Sequence, residues 1–328
     1  MKTETIKRIV WSVDAFQDAG KIQELVAKSI GVLLRQIAAQ TQIQVQVEPV
    51  YVLTPEQLNL SVGSEAASVD NYKHAAEKSA ERLTEQLIKN IDGKLNWLLP
   101  PKVLIQHHFS TAAAVQSLAA YALSSGANLI VVGTHGRSGM PRFFMGSFAE
   151  SLLLYSKVPV MVVGPKSEEL NNYEHILFPT DLGKNSRPAL EHVTTLAKSL
   201  RSKLTIYHSI QNPIEPVLQS GVYLLGGGWL PVPAYMEEEM NKRGNVIDKL
   251  VQIARNSGVE ADGVVEPGRG GVVTSILSFA EKNNLSLIAM TAQSGPVASS
   301  LIGSITRQVV RESGCPVWVI RLVAKKSK

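Results

Sequence analysis

The sequence predicts an α/β fold in which a doubly wound sheet of parallel strands is built twice along the chain. Short apolar segments rich in β-branched residues, such as 127–132, alternate with longer segments whose apolar residues recur at helical spacing. The opening segment 9–14 returns at 176–181 with its terminal aspartate, which indicates an internal duplication. A chain of 328 residues is long enough for two domains that each bury a core.

Strand and helix patterns alternate in the first half, and the second half repeats their order. Strands are predicted at 9–14, 43–53, 102–107, 127–132 and 158–163, and helices at 19–39, 66–91, 111–123 and from Ser147. In the second half, strands are predicted at 176–181, 203–208, 263–265, 285–290 and 315–320, and helices at 185–200 and 233–257.

A polar segment at 166–173 separates the two halves, so we expect one domain at 1–166 and a second at 172–328. The second half also carries an insertion at 211–235, which contains three consecutive glycines and Trp229. We expect this insertion to be a surface loop packed on its domain, with a lid or an intramolecular plug as the alternative.

The composition excludes several classes of protein. An apolar fraction of 45% and a charged fraction of 19% are those of an ordinary globular protein. The net charge of +5 is spread along the chain without a basic stripe, so we expect no nucleic-acid partner. We find neither a signal-peptide core nor a span long enough for a bilayer, and we therefore expect a cytoplasmic protein without a membrane partner. Cys315, the one cysteine, lies in an apolar setting that predicts an inert buried thiol.

A glycine-rich segment follows the strand at 127–132. Gly133, Gly136 and Gly146 allow backbone N–H groups to approach an anion closely. Ser147 and Glu150 have the spacing of a capping box, so a helix that begins at Ser147 would direct its first N–H groups toward the same loop. This pattern predicts a phosphate-binding loop, although a plain helix cap preceded by an ordinary loop is the alternative.

The spacing of these residues resembles the signature of the ATP-binding universal stress proteins. Two residues separate Gly133 from Gly136, and nine separate Gly136 from the Gly146-Ser147 pair. The resemblance covers both halves as tandem domains. It implies two Rossmann-like domains, each a five-stranded parallel sheet with helices on both faces. It also implies that the last strands, 158–163 and 315–320, pair with each other inside one chain, as an internal pseudo-dimer.

The resemblance further implies an ATP site in the first half, and it is compatible with an Mg²⁺ ion beside the ATP. It places the loop residues at the ribose and phosphates, and Asp14 at a divalent ion or a polar ligand group. Arg137 would be an additional contact. The predicted site residues are Asp14, Gly133, Gly136, Arg137, Gly146 and Ser147. No catalytic residue and no metal-ligand cluster is predicted. His135, between two of the glycines, is expected to be a hydrogen-bonding or solvent-facing residue.

The second half departs from this signature. Met290 and Gln293 are expected where the motif has its first two glycines, while Gly303-Ser304 retains the last part. Side chains at those two positions would occupy the space that phosphate oxygens need, so we expect no ATP there. Asp181 is retained, in a segment that is closer to the family's opening than the Ala15-Phe16-Gln17 that follows Asp14.

We therefore expect an ATP-binding regulatory protein of the stress response with little or slow hydrolysis, and not an enzyme. A protein partner that the sequence does not identify and a homodimer of the tandem chain are the expected assemblies. One alternative is a scaffold, or a protein that binds a small apolar ligand. Another is a slow metal-dependent ATPase that uses Asp14.

Overall fold

The structure is a computed structural model that contains ten strands and eight helices in its described part. It describes residues 6–13, 21–40, 44–54, 69–89, 97–108, 110–134, 147–167, 170–211, 232–268, 270–292 and 302–322. The strands are β1 (Arg8–Ser12), β2 (Gln46–Leu53), β3 (Lys102–Ile105), β4 (Leu129–Gly133), β5 (Val160–Val163), β6 (His175–Pro179), β7 (Lys203–Ile210), β8 (Ala261–Pro267), β9 (Leu287–Thr291) and β10 (Val317–Ile320). The helices are α1 (Lys21–Ala38), α2 (Val69–Lys89), α3 (Thr111–Ser124), α4 (Ser147–Tyr155), α5 (Ser186–Leu200), α6 (Val232–Asn256), α7 (Val272–Lys282) and α8 (Ser304–Glu312).

All ten strands belong to one sheet with the order β3-β2-β1-β4-β5-β10-β9-β6-β7-β8. Within each half the five strands run parallel, and the order of the first half is repeated in the second. The two halves meet where β5 pairs antiparallel with β10. The expected fold class is therefore confirmed, and so is the expected pairing of the last strands, although the two five-stranded sheets are continuous with each other.

The helices cover both faces of this sheet. One face carries α1, α2, α5 and α6, and the opposite face carries α3, α4, α7 and α8, each against its own apolar core. Because both faces are covered, the central strands β4, β5, β9 and β10 are buried at consecutive positions. The edge strand β8 is mostly half-buried, and its sequence is correspondingly more polar.

The antiparallel pairing sets a twofold relation between the halves. Met161 pairs with Trp318, and these two residues occupy equivalent positions in the repeat. On the face that carries α4 and α8, Arg307 Nε lies 2.7 Å from Glu150 Oε1. These two residues are also equivalent, since each is the fourth residue of its helix. Their contact is ionic, because the Nε–H is not directed at the oxygen as a hydrogen bond requires.

Cations from each half also contact the end of the other half's helix. Arg321 donates a hydrogen bond to the carbonyl of Leu154 near the end of α4, and Lys166 Nζ lies 3.4 Å from the carbonyl of Glu312 at the end of α8. The last carbonyls of a helix carry partial negative charge and have no partner within the helix. The two contacts therefore bind the halves to each other reciprocally.

The segment that joins the halves is anchored by Tyr173, whose side chain is fully buried. Its hydroxyl lies 3.1 Å from the carbonyl oxygen of Ser29 in α1, and its backbone N–H donates to Gln36 Oε1 at 2.8 Å. Gln36 Nε2 in turn donates to the carbonyl of Leu200 at the end of α5 at 2.6 Å. The linking segment is thus part of the packed interface. The domain bounds 1–166 and 172–328 stay a prediction, and residues 212–231 of the predicted insertion lie outside the described residues.

We expect Gly263→Ala to destabilise the fold, because a Cβ at Gly263 on β8 would lie 2.2 Å from Ile247 Cγ2 on α6. This methyl group belongs to a stiff β-branched side chain that is itself buried, so relief requires movement of the helix. The expected loss is about 1–3 kcal/mol in urea denaturation. Gly244→Ala in the same helix is the control: its Cβ meets nothing, and it should stabilise by about 0.5–1 kcal/mol. Equal effects of the two variants would contradict this account of the packing.

Candidate functional site

The structure describes two of the six site residues that the sequence predicts for the first half. Gly133 ends β4 at the carboxyl edge of the sheet, beside β1, and Ser147 is the first residue of α4, with an exposed side chain. The other four lie outside the described residues, and they are Asp14, Gly136, Arg137 and Gly146. The glycine motif thus follows a buried strand and precedes a helix, which is the context that the predicted phosphate loop requires.

Gly133 also has a packing role. A Cβ at this position would lie 2.7 Å from Ile22 Cγ1 and 3.4 Å from Val26 Cγ2, both on α1. The absence of a side chain therefore allows α1 to lie close to the end of β4. The packing favours a glycine at this point, and a glycine is also compatible with the predicted ligand contact.

The register of the second half corrects one expectation from the sequence. Ile9 pairs with Leu129 and the equivalent Ile176 pairs with Leu287, so Thr291 and not Met290 occupies the position of Gly133. The next residues agree, since the N–H groups of Thr134 and Ala292 donate to the last carbonyls of β5 and β10. Gln293, the other residue expected at a glycine position, lies outside the described residues. The error arose because residues 285–290 are nearly all apolar, and such a strand shows no alternation that marks its register.

A pocket of about 260 Å³ lies in the second half, at the carboxyl ends of β6, β7 and β9. In open α/β sheets, ligands bind at this edge, where neighbouring strands connect in opposite directions. The N-terminal turns of α5, α7 and α8 complete its wall. Its lining combines apolar side chains with hydroxyl, amide, imidazole and carboxylate groups: Phe178, Pro179, Thr180, Asp181, Asn185, Ser186, Tyr207, His208, Ser209, Gln211, Val272, Ile276, Met290, Thr291, Ile305 and Thr306.

A chain of hydrogen bonds follows β6. The N–H of Leu182 donates to Thr180 Oγ1 at 3.1 Å, Thr180 Oγ1 donates to Ser186 Oγ at 2.6 Å, and Ser186 Oγ lies 3.4 Å from Asp181 Oδ1. The N–H of Gly183 donates to the same carboxylate oxygen at 2.9 Å. The tight turn that brings Ser186 back to Asp181 places Leu182 at a φ of 59°, in the left-handed region. The turn therefore holds the Asp181 carboxylate at the mouth of the pocket.

His208 on β7 forms the neighbouring wall. Its Nδ1 lies 2.8 Å from the carbonyl oxygen of Thr180. A carbonyl can only accept a hydrogen bond, so Nδ1 carries a proton and donates. Burial lowers the pKa of His208 below its ordinary value, the Thr180 carbonyl raises it in part, and the charge of Arg243 lowers it further. At neutral pH the imidazole is therefore uncharged, and its Nε2 is left as an acceptor.

Tyr207, the neighbour of His208 in β7, lines the pocket on the face of the sheet that carries α7 and α8. The side chain is almost fully buried, and its ring centroid lies 4.7 Å from that of Phe279. Its hydroxyl donates to Glu266 Oε1 at 2.6 Å. Burial, followed by this hydrogen bond, holds the pKa of the phenol well above its ordinary value, so the group remains a neutral donor. Ser209 Oγ lies near the phenol, but it is buried and forms no hydrogen bond of acceptable geometry.

In the described part of the chain, no three histidine, cysteine or acidic side chains are grouped as a metal ion would need. Burial raises the pKa of the Cys315 thiol to about 11, so it is protonated at neutral pH, as the sequence predicted of an inert thiol. Among the described helices, none is long and apolar enough to cross a membrane.

Asp181 is evident in the sequence, but the pocket around it is not. His208 and Thr306 lie about 100 residues apart in the chain, and only the sheet order brings their strands and helices together. The detectable signal was the short segment 180–186, in which two hydroxyl residues flank an aspartate and a glycine directly after a buried strand. Such a segment is typical of a turn in which side chains bond to nearby backbone N–H groups.

The doubly wound sheet, built twice and carrying a pocket at the carboxyl ends of the strands in its second half, defines a tandem Rossmann-like protein. A sequence profile of the Universal stress protein family matches residues 32–164 and again residues 172–321. These two matches cover most of the chain, which therefore belongs to the universal stress protein family.

Individual proteins agree with this assignment. A universal stress protein of Methanocaldococcus jannaschii is 26% identical over 158 residues, which are 48% of this chain and 86% of that protein. A universal stress protein of Mycolicibacterium smegmatis is 26% identical over 200 residues, covering 60% of this chain and 63% of that one. Among solved structures, a universal stress protein from Archaeoglobus fulgidus superposes with a TM-score of 0.57 at 18% identity, over 96% of this chain and 98% of that one. At this identity the likeness shows the fold alone.

We expect Gly133→Ala to lower the free energy of unfolding by about 1–3 kcal/mol, because the new Cβ meets Ile22 Cγ1. The double variant Gly133→Ala/Ile22→Ala removes that atom, so it should lose less stability than the sum of the two single variants. Urea denaturation of the four proteins measures this coupling. Strictly additive losses would show that Ile22 does not limit the space at Gly133.

We expect the stability of the protein to fall as the pH drops below about 6.5, partly through His208. Its folded-state pKa is lowered from 6.5, so below that pH the unfolded chain binds more protons than the folded one. His208→Asn keeps an N–H donor for Thr180 but cannot titrate. The variant should therefore lose less stability than the parent between pH 7 and pH 5, with the remaining slope including His192, whose pKa burial also lowers. Identical slopes would exclude this role.

Proposed function

We propose that this protein is an ATP-binding regulator of the stress response, with the nucleotide held in the first half. The observation that carries this proposal is the position of the glycine motif between the end of β4 and the start of α4. A loop at this position directs backbone N–H groups and the positive end of a helix toward one point, which suits phosphate oxygens. Membership of the universal stress protein family is consistent with this use.

The residues proposed to contact the nucleotide are those of the predicted motif. Gly133, Gly136, Gly146 and Ser147 would contact the ribose and phosphates, with Arg137 adding charge. Asp14 would hold the Mg²⁺ that accompanies ATP or a polar group of the nucleotide. In the described structure the corresponding position of the second half holds Thr291, so the two halves would differ in their affinity for ATP.

The proposed activity is binding and not turnover. ATP would order the segment between Gly136 and Gly146 and so change the surface that a protein partner meets in the cytoplasm. Hydrolysis, where it occurs, would be slow, because none of these residues is assigned as a general base or a nucleophile beside the phosphates. Multiple turnovers that disappear in Asp14→Asn would instead establish the metal-dependent ATPase.

We expect nucleotide-stripped protein to bind one Mg-ATP per chain in a calorimetric titration. Asp14→Asn and Gly136→Val should each weaken this binding, by roughly tenfold or more, through loss of a charged contact or of the phosphate cradle. Asp181→Asn is the matched control, because Asp181 is the equivalent of Asp14 in the second half, and it should leave the affinity unchanged.

Two outcomes of this titration would contradict the proposal. Two equal sites per chain would show that Thr291 does not prevent ATP binding in the second half. No binding in the absence of co-purified nucleotide would favour the scaffold or other-ligand alternative for the whole protein.

A further inference from the structure

We propose that Arg307, supplied by the second half, sets the affinity of the first half for the phosphate groups of a nucleotide. This inference rests on the proposed function, because it names a residue that tunes the phosphate end of that same site. It is carried by the position of Glu150 in α4, the ion pair between Glu150 and Arg307, and the exposure of that pair.

Glu150 places a negative charge near the start of α4. It belongs to the first turn of this helix, three residues after Ser147, which corresponds to about 4.5 Å along the helix axis. Helical side chains lean toward the N-terminus, and Ser147 lies at that end. A carboxylate in the first turn stabilises the helix, but it also repels a phosphate at the same helix end. A cation beside Glu150 would therefore favour a nucleotide here.

Arg307 supplies such a cation from the other half of the chain. Its Nε lies 2.7 Å from Glu150 Oε1, although Arg307 belongs to α8, on the far side of the β5–β10 pairing. The fields of two opposite charges this close largely cancel at the distance of a helical turn or more. Arg307 thus offsets the repulsion that Glu150 alone would exert on a phosphate.

The pair remains accessible to a ligand. The side chains of Glu150 and Arg307 are 34% and 39% exposed, so the interface does not seal them from solvent. The Nε–H of Arg307 is not directed at the carboxylate, and with the described residues the guanidinium forms no hydrogen bond. A fully engaged arginine would instead give a carboxylate two parallel N–H donors. The terminal N–H groups, which suit phosphate oxygens, are therefore not committed to Glu150.

A second cation from the same half provides the comparison. Arg321 donates a hydrogen bond to the carbonyl of Leu154, near the other end of α4 and about 10 Å from its start along the axis. It carries the same charge and also joins the two halves, but it lies where no phosphate is proposed. An effect on phosphate affinity that Arg307 has and Arg321 lacks must come from the place of Arg307 at the first turn of α4.

The test is a calorimetric titration of nucleotide-stripped, full-length protein with Mg-ATP, Mg-ADP and AMP. We expect Arg307→Gln to weaken ATP binding roughly threefold to tenfold, ADP binding less and AMP binding least, because the repulsion from Glu150 grows with the charge of the ligand. The loss should shrink when the salt concentration is raised from about 0.05 M to about 0.5 M. Arg307→Lys keeps the charge and should retain most of the affinity.

Three further variants complete the test. Glu150→Gln leaves Arg307 unopposed and should tighten ATP binding, a result that does not depend on whether Arg307→Gln folds. The double variant Glu150→Gln/Arg307→Gln should bind ATP about as tightly as the parent. Arg321→Gln is the matched control, and it should change the ATP affinity by less than about twofold, since a charge this far from the start of α4 is largely screened.

Three results would overturn the inference while leaving ATP binding in place. They are equal ATP affinity in the parent, Arg307→Gln and Glu150→Gln, an equal loss for ATP and AMP in Arg307→Gln, or an equal loss in Arg321→Gln. The second and third would show that Arg307 acts only by holding the halves together. If the parent binds no nucleotide, both the proposed function and this inference are wrong.

Discussion

The antiparallel pairing of β5 with β10 is the constraint on which the rest of the structure depends. It joins two five-stranded sheets into one sheet of ten strands, so that neither β5 nor β10 is an exposed edge strand. It also fixes the direction of every strand: those of the first half run opposite to those of the second. The carboxyl ends of the strands, where ligands of such sheets bind, therefore point in opposite directions in the two halves. Any coupling between these two ends must pass through the interface, where Tyr173 and the reciprocal contacts at the ends of α4 and α8 connect the halves.

The two halves share one architecture and differ at the carboxyl ends of their strands. At the end of the fourth strand, the first half has Gly133 and the second has Thr291, a difference that alters what can approach the backbone there. At the end of the first strand, the second half has the hydroxyls of Thr180 and Ser186 around Asp181, whereas Asp14 is followed by Ala15, Phe16 and Gln17. These differences change the groups that the two halves offer at the ends of their strands and leave the apolar cores in place.

Much of the fold could be predicted because its signals are local. Apolar runs and helical spacing located the ten strands, and the repeat of segment 9–14 at 176–181 revealed the duplication. Element ends were less certain: β2 begins at Gln46 where residue 43 was expected, and β3 ends at Ile105 where residue 107 was expected. The register of β9 was predicted wrongly by one residue, because a strand buried on both faces has no polar positions to mark it. The pocket as a whole could not be predicted, since His208, Thr306 and Asp181 converge only through the order of the sheet.

The contact between Glu150 and Arg307 bears on how the chain distinguishes itself from its own copies. The two residues are equivalent in the repeat and face each other across the twofold axis. In a dimer of two first halves, two glutamates would meet at this point, and in a dimer of two second halves, two arginines would meet. Opposed like charges disfavour both assemblies, while the fused chain opposes unlike charges. In a symmetric homodimer this position would face its own copy and so meet a like charge. In the fused chain the two equivalent positions carry opposite charges, which favours pairing of the first half with the second.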